Sequence, residues 1–345
     1  MSLHSEIFDQ PASIKNIFTR QKEFIQMAAK EILKRDPSYV FLAARGTSDN
    51  AGRYANYILG ANNHLPLALA TPSLFSIYNQ PPKLRDALVV SISQSGKSPD
   101  IVSVVSEAKK QGCLTVSITN EPDSDMAKIS DLVIDISAGV EKSTAATKTY
   151  TNELMAVAML SAALSNNSKQ WDELELVSGW ADQVLRQDND IKQLSLRYRY
   201  MQRCVVLGRG FNYCTAFEWS LKMKEMSYVV AEPYSSADFL HGPVAMMETG
   251  FPVLTVMPSG AVFTTLFETL QKIRKEQNVE LAIISDSARA LEMAQTPIPL
   301  PTGIPEWLSP IISIIPAQLF CYHLTNHKGL NAENPRIIQK VTETK

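Results

Sequence analysis

The chain has 345 residues, 45% of them hydrophobic and 20% charged, with 33 basic and 35 acidic side chains for a formal net charge of −2. That length suits two domains rather than one, and a near-neutral balance without a basic stripe argues against a nucleic-acid binder. No basic-then-apolar leader opens the chain, no apolar run reaches the ~18 residues of a membrane span, and the four cysteines and five histidines follow no metal-ligand spacing, so a cytoplasmic protein with reduced cysteines and no metal or organic cofactor is expected.

Taken in chain order, short apolar runs alternate with helical patterns. A strand is predicted over residues 40–43, with a helix from there to residue 59. A strand over 87–93 leads into a helix over 99–111, strands follow at 114–119 and 132–136, and a helix over 155–164 closes the first half. Residues 171–197 read as a polar helical bridge, with a boundary near residue 195. The second half repeats the order, with strands at 204–207, 253–257, 281–284 and 298–300, a helix over 216–228 and an apolar closing helix over 311–324. This alternation predicts parallel sheets covered by helices. A shift of 164 residues brings Arg209-Gly210 onto Arg45-Gly46 and Ser259-Gly260 onto Ser95-Gly96. Agreement of these pairs with the strand order predicts a duplication, with domains over 1–195 and 196–345, the second carrying a polar tail.

The most informative segment follows the strand at 87–93: Ser93-Gln94-Ser95-Gly96-Lys97-Ser98, then Pro99. Ser98 suits an N-cap and Pro99 the first helical turn. Free N–H groups at a helix start favour an anion, Gly96 lets backbone approach it, and the serines and Gln94 add donors. Such a loop lies at the carboxyl ends of parallel strands, where ligands bind in doubly wound sheets. A polar turn with a capping serine is the plainer alternative. It is not a Walker loop, because Ser91 stands where the first glycine belongs. The counterpart Met257-Pro258-Ser259-Gly260 has lost most hydroxyls, so one phosphate site per chain is expected, in the first domain.

Farther on, Glu218, Lys222 and Glu225 are spaced to share one helix face, which by itself reads as an exposed ion-pair row. His241 precedes Gly242-Pro243 in a turn, and Lys340 lies in the tail, where a lysine is ordinarily solvated.

Taken together and in order, Gly46-Thr47-Ser48, Ser93-Gln94-Ser95-Gly96, Ala145-Ala146-Thr147-Lys148, Leu207-Gly208-Arg209-Gly210, residues 218–228, His241-Gly242-Pro243 and the closing Pro335-Arg336 with Lys340 resemble the isomerase portion of glucosamine-6-phosphate synthase. The likeness runs from about residue 20 to the end. It implies two tandem sugar-isomerase (SIS) domains of flavodoxin-like, doubly wound α/β fold, a phosphorylated amino sugar as substrate, and a homodimer whose active site is shared. Ser93, Gln94, Ser95 and Ser98 would hold the sugar phosphate. Thr47, Ser48, Thr144 and Ala146 would contact the sugar, the last two through backbone. Glu225 would move a proton between C1 and C2, Lys340 would form a Schiff base with the open-chain ketose, and His241, from a partner subunit, would open the ring. Lys222 and Glu218 would orient the site or pair with each other. The chemistry asks for a base in a dry pocket, its pKa raised by burial, and for an amine that can lose its proton.

Departures from the synthase narrow the expectation. No cysteine precedes Cys113, so glutamine hydrolysis is not expected. Arg45 replaces the cysteine usual before Gly-Thr-Ser, Thr144-Ala145-Ala146-Thr147-Lys148 replaces Val-Ala-Ser-Thr-Lys, and the usual Val-Thr-Val-Glu close is missing. These variants are similar to stand-alone SIS-type glucosamine-6-phosphate deaminases. The expected function is an isomerising deaminase that converts glucosamine 6-phosphate to fructose 6-phosphate and ammonia. The alternatives are a fructosamine-phosphate deglycase or aldose–ketose phosphosugar isomerase, and a non-catalytic phosphosugar-binding sensor.

Overall fold

A computed structural model describes residues 2–340. By contacts the chain forms two compact units, neither an unbroken stretch. One holds residues 9–142, 146–176 and 339–340; the other holds residues 2–8, Ser143–Ala145 and Val177–Ile338. Each unit draws on separate stretches of the chain, for a physical reason. The bridge is less polar than its composition suggests: helix Val177–Leu185 buries Val177, Trp180, Ala181, Val184 and Leu185 in the second unit. Helix Leu3–Phe8 likewise buries Leu3 and Ile7 there, against helix Ser309–His327.

The first unit is built on five parallel strands: β1 (Tyr39–Ala43), β2 (Leu67–Leu69), β3 (Ala87–Ile92), β4 (Leu114–Thr119) and β5 (Leu132–Asp135), in the order β2-β1-β3-β4-β5. Every residue of β3 is buried, as expected for a central strand with both faces covered. Helix Pro99–Lys110 turns Ile101, Val104, Val105 and Ala108 to the core and ends on Lys109 and Lys110, which suit the negative end of its dipole. Helix Lys148–Ser165 is buried nearly all round, clasped by helices Gln10–Arg35 and Gly46–Asn63.

The second unit repeats the plan with β6 (Arg203–Gly208), β7 (Val230–Ser235), β8 (Pro252–Val256), β9 (Glu280–Ser285) and β10 (Thr296–Pro299), in the order β7-β6-β8-β9-β10. The two orders are the same when the strands are matched in sequence, and Gly46 and Gly210, which open the equivalent connections after β1 and β6, both have positive φ, 55° and 60°. The duplication read from paired motifs is therefore a duplication of fold. Its central helix, Ser309–His327, corrects one expectation. The stretch Glu306–His327 is long and apolar enough to cross a membrane, yet 94% of it is buried inside the protein. It is apolar all round because helices Tyr213–Ser227, Asp188–Leu196 and Val177–Leu185 pack against it.

Candidate active site

In the first unit, the loop from Ser93 to Ser98 joins β3 to helix Pro99–Lys110. Backbone bonds pin it to the next strand: Ser93 N–H donates to Ile118 O at 3.1 Å, and Asn120 N–H to Gln94 O at 3.1 Å. The Ser93 hydroxyl accepts from Gly96 N–H at 3.1 Å, closing the turn. Ser98 occupies the N-cap position, but its side chain makes no capping bond, so its assigned cap role is positional only. Gly96 is required twice over. Its φ is +59°, and an added Cβ would stand 2.0 Å from Ser124 Oγ. Gly96→Ala is accordingly expected to cost about 1–3 kcal/mol and to shift the loop; thermal unfolding together with phosphate-ester binding checks both.

The second unit shows what becomes of the same loop when it is closed. There Ser259 N–H donates to Asp286 Oδ1 at 2.6 Å and Ala261 N–H to Glu306 Oε2 at 2.8 Å. A Cβ on Gly260 would strike the Glu306 carboxyl carbon at 2.2 Å. The protein's own carboxylates accept from the backbone N–H groups of this loop.

Thr47 and Ser48 lie in the first turn of helix Gly46–Asn63. The Ser48 hydroxyl is buried and donates to Glu153 at 2.8 Å, so it is already spoken for in this state. Ala146 is half-buried in the first unit; Thr144, half-buried too, goes with the second unit, where the neighbouring Ser143 N–H bonds the buried Glu6. Lys148 is buried and paired with Asp9 at 2.7 Å, a structural bond.

Lys340 is paired rather than free, with 24% of its side chain exposed. Its Nζ lies 2.5 Å from Glu141 Oε2, and the Glu141 side chain is fully buried. Sequence reading missed Glu141, which sits in a polar loop and looks like a surface charge. Four donors hold it: Thr147 N–H at 2.8 Å, Thr149 N–H at 3.2 Å, and the Thr147 and Thr149 hydroxyls at 3.3 and 2.8 Å. It thereby satisfies the start of helix Lys148–Ser165, whose N-cap Thr147 makes no side-chain cap of its own. The available signal was the Thr-rich helix start, which lacks a local acidic cap. Glu141 and Gln94 both line a cavity of about 370 Å³. Burial alone would raise the Glu141 pKa, but Lys340 and the surrounding donors outweigh it and hold the carboxyl below its ordinary value. A depressed carboxyl stabilises the fold above its unfolded pKa, ordinarily 4.5, and that stability is lost as pH falls through the lower folded value. The melting-temperature gap between wild type and Glu141→Gln should therefore be constant near neutrality and shrink only on acidification below about 4.5, as thermal scans across pH would show.

In the second unit, the row on helix Tyr213–Ser227 is not the exposed ion-pair row that spacing alone suggested. Glu218 is 0% and Lys222 1% exposed, and Glu225 is 24% exposed at the side chain. Lys222 Nζ stands 3.2 Å from Glu218 and 2.6 Å from Glu225. Burial alone would push the Lys222 pKa down, but the two carboxylates outweigh it and keep the ammonium charged. Glu225 is thus the member of the row open to a ligand, oriented by a cation fixed from behind. His241 is exposed in the turn after helix Ser236–Phe239, and its backbone N–H donates to Asp238 O. His4 and His323 meet on Asp188, at 3.1 and 2.7 Å, in a hydrogen-bonded group that the histidine spacing did not announce.

Fold and site define a class: a duplicated, doubly wound α/β protein with one open hydroxyl-rich loop and one closed copy. The family model for the SIS domain matches residues 35–163 and 199–328, and the chain belongs to the SIS-domain family. It is homologous to the isomerase portion of glutamine–fructose-6-phosphate aminotransferase. It is 31% identical over 349 residues to that enzyme of Thermococcus kodakarensis, covering 97% of this chain and 56% of the relative. The chain thus spans about half the length of the curated relatives it matches. Among solved structures, a proposed phosphosugar isomerase of Silicibacter pomeroyi superposes with a TM-score of 0.87 at 30% identity, covering 96% of this chain and 100% of that one. A glucosamine-6-phosphate deaminase of Thermotoga maritima shares the fold, with a TM-score of 0.77 at 21% identity over the whole of both chains.

Proposed function

We propose that the protein is an isomerising deaminase of an amino-sugar phosphate, turning glucosamine 6-phosphate into fructose 6-phosphate and ammonia. The observation that carries this reading is the placement of Lys340: beyond the last helix, its amine is held by a buried carboxylate, with 24% of the side chain exposed. That bond fixes where the amine stands, and an amine that has lost its proton attacks a carbonyl or imine carbon. The open Ser93–Ser98 loop takes the phosphate through Ser93, Gln94, Ser95 and Ser98. Thr47, Ser48, Thr144 and Ala146 contact the sugar. His241, supplied by a second copy in a homodimer, moves the proton that opens the ring. Glu225, aimed by Lys222, removes the C2 proton of the open aldose and delivers a proton to C1, while the amine nitrogen gives up one proton and O1 gains one, leaving an imine at C2. The neutral Lys340 amine adds there and expels ammonia, and water then releases the ketose and restores the amine. The protein acts in the cytoplasm, without membrane or nucleic-acid partners, and carbonyl chemistry needs no metal or organic cofactor.

Turnover in deuterium oxide tests the proton transfer. The reading expects deuterium at C1 of the ketose, because the protonated Glu225 carboxyl exchanges with solvent between the two transfers. Binding of the sugar phosphate with neither exchange nor product would instead indicate a sensor, and exchange into a ketose that keeps its nitrogen would indicate an isomerase.

A further inference from the structure

Arg45 ends the connection after β1, and Ser93 opens the connection after β3. These strands are neighbours, with Ala43 paired to Ser91, so Arg45 and Ser93 stand at the same level past the strand ends. The order β2-β1-β3 makes this the point where the chain reverses direction across the sheet, and a crevice opens at such a point. Arg45 Nε donates to Asp100 Oδ2 at 2.6 Å; Asp100 is 0% exposed, whereas the Arg45 side chain is 47% exposed. The other oxygen of Asp100 accepts the N–H of Ile101 at 2.9 Å. A fully buried carboxylate is costly unless it is bonded on both oxygens, and here one of those bonds fixes a guanidinium. With Nε committed to Asp100, the Arg45 side chain makes no further hydrogen bond among the described residues. The nearby Asp49 carboxylate is engaged by Arg53 at 3.3 Å and feels the Arg45 charge as well.

We infer that Arg45 is a phosphate-recognition residue and Asp100 the positioning residue that aims it. The inference rests on the phosphosugar reading above and deepens it: Ser93, Gln94, Ser95 and Ser98 are neutral donors, and Arg45 supplies a planar cation suited to a phosphate dianion. A cation that binds the phosphate alike in ground and transition states shows up in KM, not in kcat.

The test compares wild type, Arg45→Met, Arg45→Lys, Asp100→Asn and the Arg45→Met/Asp100→Asn pair, each checked for an intact melting transition. Inorganic phosphate binding by titration calorimetry and KM for glucosamine 6-phosphate are measured together. Arg45→Met is expected to weaken both by about 10- to 100-fold with kcat within about threefold, and Arg45→Lys to fall between. Asp100→Asn should weaken binding alone but add nothing in the Arg45→Met background, which a purely structural aspartate would not do. Unchanged phosphate binding and KM in Arg45→Met, while wild type binds both ligands, overturns this inference and leaves the phosphosugar reading standing. If wild type binds neither ligand, the phosphosugar reading itself fails, and this inference with it.

Discussion

Glu225→Gln will lower turnover by ~10²-fold or more while leaving KM close to wild type. The expectation follows from the graded burial of the helix row. Glu218 and Lys222 are sealed, and only Glu225, at 24% side-chain exposure, can reach a ligand. Glutamine keeps the size and still accepts from Lys222, so substrate binding persists while the base is gone. Glu218→Gln weighs the other way. Either change leaves the buried ammonium with one carboxylate in place of two, but Glu218 is sealed, so a loss of about 3 kcal/mol or more in stability is expected there and a smaller one at the partly exposed Glu225. Kinetics and thermal unfolding of the two variants, side by side, separate the base from its scaffold. A Glu225→Gln enzyme with full turnover would remove Glu225 from the mechanism.

Lys340→Ala will abolish covalent capture of the ketose. In wild type, borohydride reduction in the presence of fructose 6-phosphate is expected to add one reduced sugar phosphate to the chain, seen by mass spectrometry; in Lys340→Ala the adduct disappears. Glu141→Gln should reduce capture without changing the attachment residue. The carboxylate 2.5 Å away fixes where the amine stands, and glutamine, lacking the charge, holds it less firmly. Capture at another lysine, or undiminished capture in Lys340→Ala, would contradict the role.

Much of the fold was legible because its strands are apolar runs bounded by helical periodicity. The strand over 114–119 was read to the residue, and most other central strands to within one. The short edge strands β2 and β7 were not. Leu67–Leu69 spans three residues, and Val230–Ser235 carries Glu232 and Pro233, because an edge tolerates charge and proline. The Ser93–Ser98 loop stood out as a candidate because its chemistry is local: glycine, hydroxyls and a helix start lie in one stretch. Glu141, Asp100 and the burial of Lys222 were not, since each becomes meaningful only when a distant segment covers it. Lys340 reached the list of candidates through family resemblance alone; its partner is 199 residues away in sequence.

The most direct measurement is ammonia release from glucosamine 6-phosphate by the purified protein. The account predicts ammonia and fructose 6-phosphate in equal amounts without added metal or cofactor. No ammonia from an enzyme that binds the sugar phosphate tightly would contradict it.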